Sequence, residues 1–242
     1  MFVFAATGLK AQTYSVPKAA IHFHVGYTMT LPDLKGTFPK DIQEGKNPMP
    51  YFVNNGFNVG LDGKYYLDKK STFGLILSGT YTRLSSGDIG TSDSTFGVGT
   101  HRFDMNLISI GIGAEYDFAP KRPANPFVNL QLTTNIIGGS YEFAASGGSQ
   151  PSVNYSMTSA IRFGAMFAAG VDVKLSQKIG LVIGGRYHFV NLFGKDSSAT
   201  TTSEFGLNDK ETTTMKARKM PFLQFFAGVS FYLGQPTRKI KK

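Results

Sequence analysis

The chain has 242 residues, of which 41% are hydrophobic and only 17% charged, below the quarter typical of soluble domains. A mean hydropathy of −0.10, with no interior run near the ~20 apolar residues of a spanning helix, excludes a helical membrane protein. Cysteine is absent, which excludes disulfides and thiolate metal sites, while a net charge of +9 asks for an explanation.

Residues 1–12, MFVFAATGLKAQ, place an apolar stretch (2–6) before small residues. This reads as the remnant of a secretory signal peptide, cleaved after Ala11 or Gln12, and lacking the basic region that opens such a peptide. Residues 13–18 follow as a short lead. Eight segments then alternate apolar with polar or small residues, the pattern of strands with two unlike faces. In 19–30, Ile21, Phe23, Val25, Tyr27 and Met29 oppose His22, His24, Gly26 and Thr28. In 56–68, Phe57, Val59, Leu61, Tyr65 and Leu67 oppose Asn58, Asp62, Lys64 and Tyr66. The third, 72–83, sets Phe73, Leu75, Leu77 and Tyr81 against Gly74, Ser78, Thr80 and Thr82. The fourth, 102–118, sets Ile108, Ile110, Ile112, Ala114, Tyr116 and Phe118 against Ser109, Gly111, Gly113, Glu115 and Asp117.

The second half repeats the pattern in 127–138, 160–175, 179–190 and 222–234. Arg162, Asp172 and Lys174 share the polar face of the sixth segment, Arg186 and His188 that of the seventh. The last, FLQFFAGVSFYLG, has Leu223, Phe225, Ala227, Val229, Phe231 and Leu233 on a wholly apolar face. Parity slips twice, at Phe103, Met105 and Leu107 and again at Tyr141 and Phe143 after Gly138-Gly139, so each place is read as a bulge or as a strand running on above a membrane.

The connections alternate in length: long at 31–55, 84–101, 139–159 and 191–221, short at 68–71, 119–126 and 176–178. A barrel in an outer membrane has short periplasmic turns and longer extracellular loops, whereas a soluble sandwich has no reason to sort them by end. Residues 19–234 thus resemble the small eight-stranded outer-membrane barrels of the OmpA/OmpX type. That resemblance implies an all-β, eight-stranded antiparallel up-and-down transmembrane β-barrel with porin-like architecture in a Gram-negative envelope. It implies insertion by the barrel assembly machinery, both termini in the periplasm, and 235–242 as a basic periplasmic tail. About thirteen residues at ~3.3 Å each, tilted ~40°, span the ~25 Å apolar band. Tyr65, Phe73, Tyr116, Phe118 and Phe231 fall at one rim. Tyr27, Phe57, Tyr81, Phe163, Tyr187 and Phe225 fall at the other.

Eight strands leave an interior only wide enough for side chains. The inward charges Asp62, Lys64, Glu115, Asp117, Arg162, Asp172, Lys174 and Arg186 are therefore expected to form an ion-pair network closing the lumen. Asp62/Lys64, Glu115/Asp117 and Asp172/Lys174 would share one level near the periplasmic end. His22 and His24 have no third ligand near them in sequence and are read as lumen residues rather than a metal site. His101, beside Arg102 and near Ser92 and Ser94, has no motif that singles out a nucleophile.

Much of the positive charge sits in the tail (Arg238, Lys239, Lys241, Lys242) and the loops, and no groove-reading motif accompanies it, so nucleic acid is not expected as a partner. GIGAEY at 111–116 lacks the third glycine of a dinucleotide fingerprint. Lys216, Arg218 and Lys219 precede the last strand, where lipopolysaccharide phosphates would lie. The expected function is a non-enzymatic outer-membrane protein, without cofactor or metal, with a structural or surface-interaction role. A lipid A-modifying enzyme or a narrow pore on the same barrel is the alternative, and a soluble lipocalin-like carrier is the alternative of a different class.

Overall fold

A computed structural model describes residues 14–92, 95–146, 151–197 and 203–234. The expected signal-peptide remnant and basic tail lie outside the described residues, as does Ser94. Eight long strands form: β1 (Ala19–Thr30), β2 (Asn55–Tyr66), β3 (Phe73–Ser85), β5 (Gly99–Asp117), β6 (Ala124–Ala145), β7 (Val153–Lys174), β8 (Ile179–Phe193) and β10 (Pro221–Leu233). Two short strands, β4 (Ile89–Thr91) and β9 (Glu204–Phe205), and a one-turn helix, α1 (Lys40–Gln43), decorate one end.

The long strands pair antiparallel in the order β3-β2-β1-β10-β8-β7-β6-β5, and a further β3–β5 pairing closes the ring. Closure leaves no free edge among them, the condition a sheet must meet to lie in hydrocarbon. The alternation fixes which way each residue points. Phe23, Val25, Leu61, Leu77, Ile112, Leu132 and Ile183 stand exposed on the outside, while His24, Asp62, Lys64, Glu115, Asn135, Arg186 and Gln224 are buried inside. Such an apolar girdle far exceeds what a soluble monomer exposes, which excludes the lipocalin-like alternative. Both aromatic rims are present: Tyr65, Phe73, Tyr116, Phe118 and Phe231 are exposed near one end, and Tyr27, Phe57, Phe163 and Phe225 near the other.

One connection departs from expectation. β6 and β7 continue to Ala145 and from Val153, so most of 139–159 is strand and only 146–152 joins the two. These strands project beyond the girdle, because their pairing continues from Tyr141↔Tyr155 to Phe143↔Val153. The end carrying 31–54, 86–98 and 194–220 is called the loop end, and the other the turn end.

The two parity slips share one cause. β5 keeps register against both neighbours through Asp104 and Met105, so the slip there is no bulge. Beyond the girdle the inward positions turn apolar, and Met105 and Leu107 point inward. They join Leu84, Ile137, Val190 and Phe222 in a core layer, which Leu34, Leu207 and Met220 of the loops complete. Tyr141 and Phe143 likewise keep the inward parity of β6, whose register against β5 is unbroken, and the register shift between Ile137 and Gly139 on the β6–β7 pair puts its extra residue on β7, between Met157 and Ala160. A further irregularity, between Phe163 and Ala165 on the β7–β8 pair, has no counterpart in the sequence pattern.

Candidate functional site: the filled lumen

The interior is built in layers. At the turn end Lys64 Nζ pairs with Glu115 and lies 3.3 Å from Asp117 Oδ2, and all three are buried. Asn129 donates to the second Glu115 oxygen at 3.1 Å, and Asn125 donates to Asp117. Charge-assisted bonds thus satisfy both carboxylates and the ammonium together, as burial demands. Asp172 makes no ion pair among the described residues; it accepts from the Tyr232 hydroxyl at 2.6 Å and the Ser230 hydroxyl at 2.8 Å. Lys174 donates to the Pro120 carbonyl and lies 5.5 Å from the Tyr232 ring centre.

Halfway up, Arg186 reaches across from β8 to pair with Asp62 on β2. It also lies 3.0 Å from His24 Nε2, donates to Thr80 Oγ1 at 3.3 Å and stacks 4.4 Å above the Phe226 ring centre. Two glycines make this crossing feasible. A Cβ on Gly60 would sit 2.4 Å from the His24 ring, and one on Gly184 would sit 2.7 Å from that of Phe226. Above lies a neutral layer, where Gln224 Nε2 donates to Thr82 at 2.9 Å and Asn58 donates to Thr28 at 3.1 Å. His188 contacts Thr133 Oγ1 at 3.2 Å. His22 and His24 both face this interior, and no cluster of three metal-ligating residues occurs among the described residues.

The structure therefore departs from the single level that the sequence suggests for the three pairs Asp62/Lys64, Glu115/Asp117 and Asp172/Lys174. Asp62 leaves Lys64 and joins Arg186, because Arg186 and Asp62 meet across the barrel while Lys64 sits two residues nearer the turn end beside Glu115. Arg162 belongs to neither group. Its guanidinium grips Asp209 through Nε at 2.9 Å and Nη2 at 2.8 Å, and Asp196 at 2.7 Å, both from the connection after β8. Asn191 donates to the same Asp209 at 2.8 Å, so this knot ties the last loop to the barrel wall.

Asp196, Asp209 and Tyr232 join these networks with no motif to mark them. A lone acid in a polar loop carries no local signal, whereas Tyr232 sits at an inward parity position and was legible as a lumen residue. The three loop cations also part company. Lys216 and Lys219 are exposed, whereas Arg218 is half-buried with its guanidinium 4.9 Å above the Tyr51 ring centre. Burial pushes up the phenol of Tyr51, in the β1–β2 connection, against the pull of Arg218. The nitrogens of His101 face the Thr91 and Tyr141 hydroxyls at 2.9 and 2.8 Å rather than a serine or a carboxylate.

A closed eight-stranded ring, apolar outside and filled with polar side chains inside, defines a β-barrel of the outer membrane. The sequence matches the family described as outer membrane protein beta-barrel domain over residues 2–210, and the chain belongs to that family. No curated protein matches it. Among solved structures it is similar to Neisserial surface protein A, with 15% identity over 90% of this chain and 99% of that one and a TM-score of 0.48. It is also similar to the outer membrane protein OprG from Pseudomonas aeruginosa, with 11% identity, 93% and 100% coverage and a TM-score of 0.48. Ail, the attachment invasion locus protein of Yersinia pestis, in complex with the heparin analogue sucrose octasulfate, gives 14% identity, 88% and 99% coverage and a TM-score of 0.41.

Proposed function

We propose that this outer-membrane barrel neither conducts nor catalyses, and that it presents its loop end to the cell exterior as an interaction surface. Both chain ends would then lie in the periplasm, and Lys216 and Lys219 would meet the phosphates of lipopolysaccharide. The observation that carries the reading is the sequence of obstructions along the lumen: the Lys64 cluster, the Arg186–Asp62 crossing and the apolar layer under the loops. Opposed charges in contact form a plug, whereas a selective filter needs polar or like-charged groups around an open passage. The Thr91 hydroxyl beside His101 at the loop end donates to the Gly97 carbonyl at 2.6 Å, so the ring is not placed to take its proton, which speaks against acyl transfer or hydrolysis there.

In planar bilayers the refolded protein is expected to show no sustained conductance. Steady, large-conductance channels from the unmodified chain would overturn the reading in favour of a pore.

A further inference from the structure

The loop end holds a cavity of about 610 Å3 that the lumen plug does not use. Its size suits a small-molecule site. Phe38, Phe96, Phe103, Tyr141, Tyr155 and Phe205 line it, gathered from the β1–β2 connection, the β4–β5 turn, β5, β6, β7 and β9. These rings brace one another. The Phe38 centre is 5.3 Å from that of Phe103 and 5.6 Å from that of Phe96, and Phe103 is 4.9 Å from Tyr141. Tyr155 stacks on Tyr141 at 6.1 Å with the planes 9° apart. His101 lies in the wall with its nitrogens facing Thr91 and Tyr141, so it is poorly placed as a ligand donor.

The lining holds no lysine or arginine, and its one carboxylate is Glu204. That side chain is exposed, accepts a hydrogen bond from Thr158 at 3.2 Å and makes no ion pair among the described residues. On a chain of net charge +9 this is a locally acidic pocket walled by π faces. Aromatic rings attract cations through their negative faces, and the attraction grows where water is excluded. An anion would find no counter-charge here, and a metal ion would find a single carboxylate. A neutral apolar guest would gain nothing from Glu204.

We propose that this cavity binds a small organic cation, a substituted ammonium whose apolar part lies among the rings while its charge faces Glu204. The proposal rests on the reading of the loop end as the interaction surface. The two can fail separately, since binding in micelles is blind to sidedness and conductance is blind to ligand.

The test uses the refolded full chain in a maltoside detergent, which carries no ammonium group. Choline and its uncharged isostere 3,3-dimethylbutan-1-ol are titrated by calorimetry. Choline is expected to bind at least ten-fold more tightly than the isostere. Glu204→Gln, at an exposed position, should remove most of that preference. Phe103→Leu should weaken choline several-fold, with heat-modifiable migration in gels certifying that both variants are folded. Equal affinity for the two probes, no choline binding up to millimolar concentration, or an unchanged preference in Glu204→Gln would each overturn the proposal.

Discussion

Arg186 is the residue on which the lumen turns. It is 2% exposed and joins Asp62, His24, Thr80 and Phe226, which come from four other strands. Arg186→Gln leaves Asp62 buried without its counter-ion, at a cost of about 3–5 kcal/mol. Removing both charges, as Arg186→Met with Asp62→Leu, should recover most of that loss, since no ion then remains to be desolvated. The urea midpoint of the refolded protein reports both, and a single variant as stable as the parent would disprove the dependence. The inward orientation of all eight charges was legible from parity alone. Their partners were not, because pairing across a barrel depends on height and shear, which a single strand does not reveal. Lys64 and Asp62 are two residues apart and face the same way, yet they serve different layers.

At the scale of the strand, the alternation that defines the fold also sets what a substitution costs. Phe167 is 51% exposed on the outer face of β7, while its neighbour Ala168 is fully buried within. Phe167→Arg should cost about 2–4 kcal/mol, as an arginine near the bilayer midplane does. Spin labels at the two positions should report lipid and lumen in turn; equal lipid exposure would contradict the register. Strand existence and facing were readable because the period of two persists wherever lipid meets one face. It misled where the strands rise beyond lipid. There Met105 and Leu107 obey the ordinary rule of apolar residues inside, and the inversion looks like a slip.

The loops were legible only as loops. Nothing local ties Asp209 to Arg162, or Phe38 to Phe103, because the chain between them is long and irregular. A consequence concerns the three loop cations. Lys216 and Lys219 point outward, so Lys216→Gln with Lys219→Gln should weaken lipopolysaccharide retention in purified protein. Arg218→Gln should instead loosen the loop, since its guanidinium covers Tyr51. Unchanged retention in the double lysine variant would count against the contact.

For the whole molecule, the proposed closure raises the question of whether one obstruction or several would keep the barrel shut. The layers differ in chemistry, so they respond to different changes. Neutralising Arg186 and Asp62 removes the mid-barrel crossing but leaves Lys64 held between Glu115 and Asp117 below. Above it also leaves Leu84, Leu107, Ile137 and Phe222 packed under Leu34 and Leu207, a buried apolar layer. The Arg162–Asp209 clamp holds the last loop over that layer independently of Arg186. A barrel closed in series stays closed when one element is lost. The Arg186→Met, Asp62→Leu variant is therefore expected to remain silent in planar bilayers, despite lacking the cross-barrel ion pair. Conductance should arise only when the same pair is combined with Leu107→Ser, Phe222→Ser and Asp209→Asn, which wet the apolar layer and free the loop above it. Sustained channels from the two-residue variant would show that the mid-barrel pair alone is the gate.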